Sequence, residues 1–195
     1  MSDINFENKT VVVTGAGNGL GKAYAMEFAK RGANVVVNDI GGSVDGAGSE
    51  NAPADIVVEE IKSNGGSAVA NYDSVATKDG GQSIIDSALN EFGSIHSVVN
   101  NAGILRDKSF AKMEEEDFNA IIDVHLKGTF FVCQPAFVQM KEQGFGRFVN
   151  VSSPSGLFGN FGQLNYGAAK MGIVGLTNVL AIEGMKYNIK ANAIA

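Results

Sequence analysis

Cysteine is almost missing from these 195 residues, and the one that occurs, Cys133, excludes an intrachain disulfide. It lies in an apolar helical run and reads as a buried, inert thiol. Histidine is nearly as rare: His96 and His125 are too few and too far apart for a zinc site, and no metal is expected. Proline occurs 3 times against 25 glycines, a balance that favours tight turns and close backbone approach over disorder. No apolar run reaches the length of a membrane span, so no membrane partner is expected. The first ten residues, MSDINFENKT, are polar and acidic, unlike a signal peptide, which points to the cytoplasm. An excess of positive charge is lacking too, and a net charge of −6 argues against nucleic acid as a partner. What remains, 45% apolar and 18% charged residues, suits one domain over residues 1–195 with a sizeable core.

Short β-branched runs alternate with helical patterns along the chain. Residues 9–14 (KTVVVT), 34–38 (NVVVN), 67–72, 95–99, 147–151 and 190–195 read as strands. Helices are expected over 20–31, 53–64, 77–92, 113–143 and 164–187, with a kink at Pro135 in the fourth. The alternation predicts a doubly wound parallel sheet, Rossmann-like, in three α/β/α layers. Ligands in such sheets bind at the carboxyl ends of the strands.

The polar and glycine-rich residues fall at those ends. Gly15-Ala16-Gly17-Asn18-Gly19-Leu20-Gly21 follows the first strand and opens a helix. Glycines 15, 19 and 21 let the backbone turn sharply and let a pyrophosphate approach the helix N-terminus. The spacing is Gly-x-x-x-Gly-x-Gly, not the commoner Gly-x-Gly-x-x-Gly. Asp39 closes the second strand, where a carboxylate accepts hydrogen bonds from both ribose hydroxyls of an adenosine and repels a 2′-phosphate. Residues 41–51 form a glycine- and acid-rich loop expected on the surface. Asp73-Ser74 closes the third strand and Asn100-Asn101-Ala102-Gly103 the fourth, where small residues let the backbone lie flat against a ligand; taken alone, the latter fits a plain Asn/Gly turn better.

Ser152-Ser153 ends the fifth strand, and Tyr166 and Lys170 follow on the next helix. Four residues apart, they share one helix face. A phenol has an unperturbed pKa of about 10, and a nearby ammonium favours the phenolate. Tyr166 beside Lys170 is therefore suited to proton transfer, and the Ser153 hydroxyl can hold the oxygen on which it acts. The Tyr-x-x-x-Lys pattern alone occurs in many helices; the other motifs give it weight.

Thr14-Gly15-x-x-x-Gly19-x-Gly21, Asp73, Asn100-Asn101-Ala102-Gly103, Ser153 and Tyr166-x-x-x-Lys170 together resemble the short-chain dehydrogenase/reductase family in order and spacing. Asn38-Asp39-Ile40-Gly41-Gly42, Asn71-Tyr72-Asp73-Ser74-Val75, Asn101-Ala102-Gly103-Ile104-Leu105-Arg106-Asp107, Asn160-Phe161-Gly162-Gln163 and Tyr187-Asn188-Ile189-Lys190 are similar to a narrower group, the hydroxyacyl-CoA dehydrogenase domains of peroxisomal multifunctional enzymes. The resemblance implies NAD as cofactor, with Gly15, Asn18, Gly19, Leu20, Gly21, Asp39, Asp73, Ser74, Asn100, Asn101, Ala102, Gly103, Tyr166 and Lys170 binding it. It implies interconversion of a (3R)-3-hydroxyacyl-CoA and a 3-oxoacyl-CoA, with Tyr166 as acid/base and Ser153 polarising the substrate oxygen. Lys170 would lower the phenol pKa and hold the nicotinamide ribose.

His125 stands where most of the wider family has an asparagine in a proton relay to the lysine, and the narrower group tends to have histidine there. It is a catalytic candidate, or a packing residue. Arg106, Lys108 and Lys112 are candidates for coenzyme A phosphates, or simply solvated. A homo-oligomer is implied, and the peroxisome if the source is eukaryotic. Family members continue past the position of Ala195, so the chain is expected to be truncated after its sixth strand. Other alcohol substrates (steroid, sugar, acyl carrier protein thioester) and a non-catalytic NAD-binding scaffold remain open.

Overall fold

In the first strand, β1 (Thr10–Thr14), neighbouring side chains point to opposite faces. Val11 and Val13 enter one core with Val35, Val37, Ala25, Val57 and Ile61, whereas Val12 enters another with Ile84, Ile85, Val132, Phe148 and Ile189. A strand apolar on both faces needs helices on both, and that makes three layers. The computed structural model describes residues 4–46, 48 and 52–195. It contains β1, β2 (Asn34–Asn38), β3 (Ser67–Asn71), β4 (Ser97–Asn100), β5 (Gly146–Val151) and β6 (Ile189–Ile194). All pair in parallel, in the order β3-β2-β1-β4-β5-β6. The doubly wound, Rossmann-like sheet is as expected.

Between the strands run α1 (Gly19–Lys30), α2 (Ala52–Ser63) and α3 (Lys78–Phe92). After β4 come α4 (Glu115–Ile121), a π-helical turn (Ile122–Lys127) and α5 (Gly128–Gln143). After β5 come α6 (Pro154–Phe158) and α7 (Leu164–Gly184). The continuous helix expected over 113–143 is thus interrupted, and by the π turn rather than at Pro135. Pro135 stays inside α5, where its missing N–H leaves the Phe131 carbonyl without the usual helical donor. Gly81 of α3 packs against that carbonyl, and any Cβ there would overlap it. The short α6 was not expected at all. Gly15 and Gly19 take positive φ, at 62° and 54°, as the sharp turn requires.

The carboxyl edge of the sheet is a row of amides. Register pairs Asn38 with Asn71 and Asn100 with Asn150. Asn38 Nδ2 donates to Asn71 Oδ1 at 2.8 Å and to the Asp73 carbonyl at 2.9 Å. Asn100 Nδ2 donates to Asn150 Oδ1 at 2.8 Å, and Asn150 Nδ2 to Thr177 Oγ1 at 2.9 Å. All four asparagines are buried. Buried amides that are paired across strands fix the register where the ladder ends, so the loops above them rise from a defined edge.

Candidate active site

The strand order reverses between β1 and β4, and a cleft of about 470 Å³ opens there above the strand ends. Of the predicted cofactor residues, Gly15, Asn18, Gly19, Asp39 and Asp73 line it. So do Ser74, Asn101, Ala102 and Gly103. The other five do not, and two of them, Tyr166 and Lys170, lie on α7. Leu20 is 65% exposed at the start of α1. Gly21 lies beneath the turn, where a Cβ would overlap the Gly15 carbonyl. Asn100 is directed into the protein, toward Asn150 and, at 3.2 Å, the Cys133 sulfur.

The cleft fits a dinucleotide. Asn18, the N-cap of α1, makes no side-chain cap hydrogen bond, so the first N–H groups of the helix face the opening as a ready anion site. A Cβ at Gly15 would stand 2.7 Å from the Ala102 Cα, whereas one at Gly19 would meet nothing within 4 Å. Glycine is thus needed at 15 for packing and at 19 for its backbone. Asn101 fastens the two sides together, its Nδ2 donating to the Thr14 carbonyl at 3.1 Å and the Gly15 carbonyl at 3.0 Å. The Asp39 carboxylate accepts from Gly17 N at 2.7 Å and Gly41 N at 2.7 Å, which fixes it in the cleft lining. Asp73 is held by Ser83 Oγ at 2.6 Å.

The surface loop expected over residues 41–51 does more than cover the surface, although residues 47 and 49–51 lie outside the described residues. It reaches across to the segment after β4. Leu105 N donates to the Val44 carbonyl at 2.9 Å, and Arg106 Nε to the Asp45 carbonyl at 3.0 Å. Gly46 lies against Ile104. Arg106 lines the cleft, yet its guanidinium also lies 3.7 Å from Asp117, which Lys108 contacts at 2.6 Å. Two of the three cations proposed for coenzyme A phosphates therefore already share one carboxylate. That sharing draws the Asp117 carboxyl below the usual carboxylate range, mainly through its bond from Lys108.

Ser153 heads α6, which packs closely on α7, the helix that carries Tyr166 and Lys170. A Cβ at Gly156 would stand 2.8 Å from Met171 N, and one at Gly167 would stand 3.1 Å from the Ser155 carbonyl. Ser152 Oγ donates to the Lys170 carbonyl at 2.8 Å, adding a further tie. Ser153 caps α6, its Oγ accepting from Ser155 N at 3.2 Å, which leaves the hydroxyl hydrogen for another acceptor. Gly156→Val should force α6 off α7 and carry Ser153 with it. A drop of about tenfold in kcat, exceeding the change in KM, is expected from steady-state kinetics at a temperature where the variant stays folded.

Lys170 is 3% exposed, and its Nζ donates to the Val151 carbonyl at 2.6 Å. It lies 5.5 Å from the centroid of the Tyr166 ring. Burial pushes its pKa down to about 8. His125 lies in the π turn, 3% exposed, with its ring edge-on to Tyr166 at 5.1 Å between centroids. Burial, then the Lys170 charge, push its pKa down to about 4, so it is neutral at pH 7. Its Nε2 lies 2.8 Å from the Ile104 carbonyl and 3.1 Å from Ile104 N, while Nδ1 is buried without a partner among the described residues. Asn165, next to Tyr166, was missed by sequence reasoning, as were Ile104 and the tie to Val44. An asparagine before a tyrosine has no spacing that would single it out.

A family profile described as short chain dehydrogenase matches residues 9–195. A short-chain type dehydrogenase/reductase of Mycobacterium tuberculosis is 59% identical over 189 residues, covering 97% of this chain and 66% of that protein. The peroxisomal multifunctional enzyme type 2 of Mus musculus is 55% identical over 194 residues, covering 100% of this chain and 26% of the relative. The crystal structure of a short chain dehydrogenase from Mycobacterium avium superimposes with a TM-score of 0.90 at 45% identity, covering 97% of this chain and 68% of the other. The chain thus spans two thirds or less of the curated relatives described here.

Proposed function

The chain belongs to the short-chain dehydrogenase family, and from that premise we propose that it is an NAD-dependent oxidoreductase, one dinucleotide-binding domain, interconverting (3R)-3-hydroxyacyl-CoA and 3-oxoacyl-CoA. The observation that carries the reading is the buried Lys170 ammonium 5.5 Å from the Tyr166 ring, beside a cleft built for a dinucleotide. The substrate class rests on the short phrases shared with the multifunctional enzymes and on the 55% identity to the mouse protein.

Bound in the cleft, NAD would supply the hydride acceptor. Ser153 donates its hydroxyl hydrogen to the substrate oxygen and holds it near the phenol. Tyr166, as phenolate, takes the alcohol proton while the C3 hydride departs; in reduction it returns that proton. Lys170 would stabilise the phenolate by its charge and hold the ribose of the nicotinamide half. The test is NADH formation from (3R)- and (3S)-3-hydroxyacyl-CoA, with a steroid and a sugar alcohol beside them. Turnover of the (3R) thioester alone is expected. Turnover of a steroid or sugar but no thioester rejects the substrate, and NAD binding without any turnover rejects the enzyme.

Asp39 supports NAD over NADP, since it lines the cleft and a carboxylate there would repel a 2′-phosphate. Titration should give a Kd for NAD at least about tenfold below that for NADP. Asp39→Ala should bring the two within about threefold of each other. A tighter Kd for NADP in the unmutated protein would reject the assignment.

Self-association belongs to the same proposal. Phe130 and Val138 on α5 and Val179 and Ile182 on α7 are exposed apolar side chains suited to a second copy. Among the described residues, no helix is long and apolar enough to cross a membrane. In a eukaryotic cell the peroxisome is the proposed compartment, in keeping with the named relatives.

A further inference from the structure

We propose that Asn165 is a positioning residue for Tyr166, fastening the acid/base to the wall of the cofactor cleft; this rests on the catalytic role proposed above for the tyrosine. Asn165 is fully buried, in the first turn of α7. The first N–H groups of a helix have no partner within it, and a capping side chain usually takes one. Gln163, the N-cap of α7, makes no side-chain cap bond. The Tyr166 N–H is instead taken by Asn165 Oδ1 at 2.8 Å. The same amide spends both its hydrogens elsewhere, Nδ2 donating to the Arg106 carbonyl at 3.0 Å and to the Asp117 carbonyl at 3.1 Å.

Three separate segments therefore meet at one side chain: the catalytic helix, the strip after β4, and the first turn of α4. Arg106 lines the cleft and bonds to the Asp45 carbonyl on its far side. Asn165 thus sets the height of Tyr166 relative to the cleft wall. Among side chains of this size, only a primary amide offers two donors and an acceptor in one plane. Aspartate keeps the shape and the bond to Tyr166 N, but it turns a carboxylate toward two carbonyl oxygens. Alanine removes all three bonds. Serine retains one.

The experiment compares Asn165→Ala, Asn165→Asp and Asn165→Ser with Tyr166→Phe in the full chain. Each is assayed below its melting transition and normalised to folded protein. The expected result is that Asn165→Ala and Asn165→Asp lose about tenfold in kcat, with NAD affinity within about threefold of the unmutated protein. In the oxidative direction the ascending, acid-side limb of their pH–rate profile moves up, because Tyr166 sits further from Lys170. Asn165→Ser, keeping an acceptor for Tyr166 N, recovers part of the loss. Unchanged kcat per folded molecule and an unmoved profile overturn the proposal, as does failure of all three variants to fold, which makes the residue purely architectural. Tyr166→Phe separates the two readings: if it keeps full turnover, the catalytic assignment fails, whatever Asn165 does.

Discussion

Tyr166→Phe should lower kcat by more than about a thousandfold while leaving NAD affinity within about threefold. The phenylalanine ring retains the edge-on contact with His125 and the neighbourhood of Lys170, so only the hydroxyl is removed. The nine predicted residues that line the cleft are untouched. The comparison that sharpens this is Lys170→Met, which should impair both turnover and cofactor binding. Its stability should move the other way. The ammonium is buried against a single carbonyl, and its pKa of about 8 lies below the ordinary value of 10.5. The unfolded chain therefore binds the extra proton more readily than the folded one. Burying the charge destabilises the fold fully below pH 8, and the cost disappears as pH rises to 10.5. Lys170→Met should accordingly be no less stable than the unmutated protein at pH 7, with the gap closing in that window. Denaturant titrations at a series of pH values, beside kcat and NAD binding, check both halves. A methionine variant that is inactive because it has unfolded at pH 7 would refute the electrostatic account.

The sheet was legible because its strands are valine runs bounded by glycine turns, and period-2 burial on both faces leaves one architecture. The place of Asp39, Asp73 and the Asn101–Gly103 turn was legible for the same reason: a polar residue ending an apolar run sits at a strand end, where the cleft opens. What the sequence did not show came where the decisive interaction joins distant segments. Asn100 looks like a cleft residue in sequence, but register sets it opposite Asn150 and turns its amide into the core. Residues 41–46 look like plain surface, yet they reach Leu105 and Arg106 across the cleft. The helix over 113–143 carried a proline, the usual sign of a kink, but the break falls at His125, where no residue type announces a π turn. Asn165 makes its three bonds to backbone atoms, and no pattern of side chains records a backbone partner.

His125→Leu should lower kcat by roughly a hundredfold without a matching loss of stability at pH 7. Ile104 offers both its N–H and its carbonyl to the same ring nitrogen, at 3.1 and 2.8 Å. Nε2 can therefore donate or accept and remain bonded, and Nδ1 is correspondingly an acceptor or a donor with no partner among the described residues. A neutral imidazole that can change tautomer at little cost, edge-on to Tyr166 and close enough to feel the Lys170 charge, is suited to pass a proton. An amide can make the same bonds without changing tautomer, so His125→Asn should retain appreciable activity. Gly103 packs against the ring, where a Cβ would overlap it, so the leucine variant tests packing as well. Stability against pH separates the two roles. The folded-state pKa of about 4 lies below the ordinary 6.5, so charging the ring opposes folding. The histidine is neutral and harmless above pH 6.5, and the stability it allows is lost as pH falls from 6.5 to 4, by up to about 3 kcal/mol. Neither His125→Asn nor His125→Leu has this titration, so both should lose less stability than the unmutated protein over that interval. Paired melting curves and pH–rate profiles decide the matter: a leucine variant that melts early at pH 7 yet turns over normally per folded molecule makes His125 a packing residue and ends the relay.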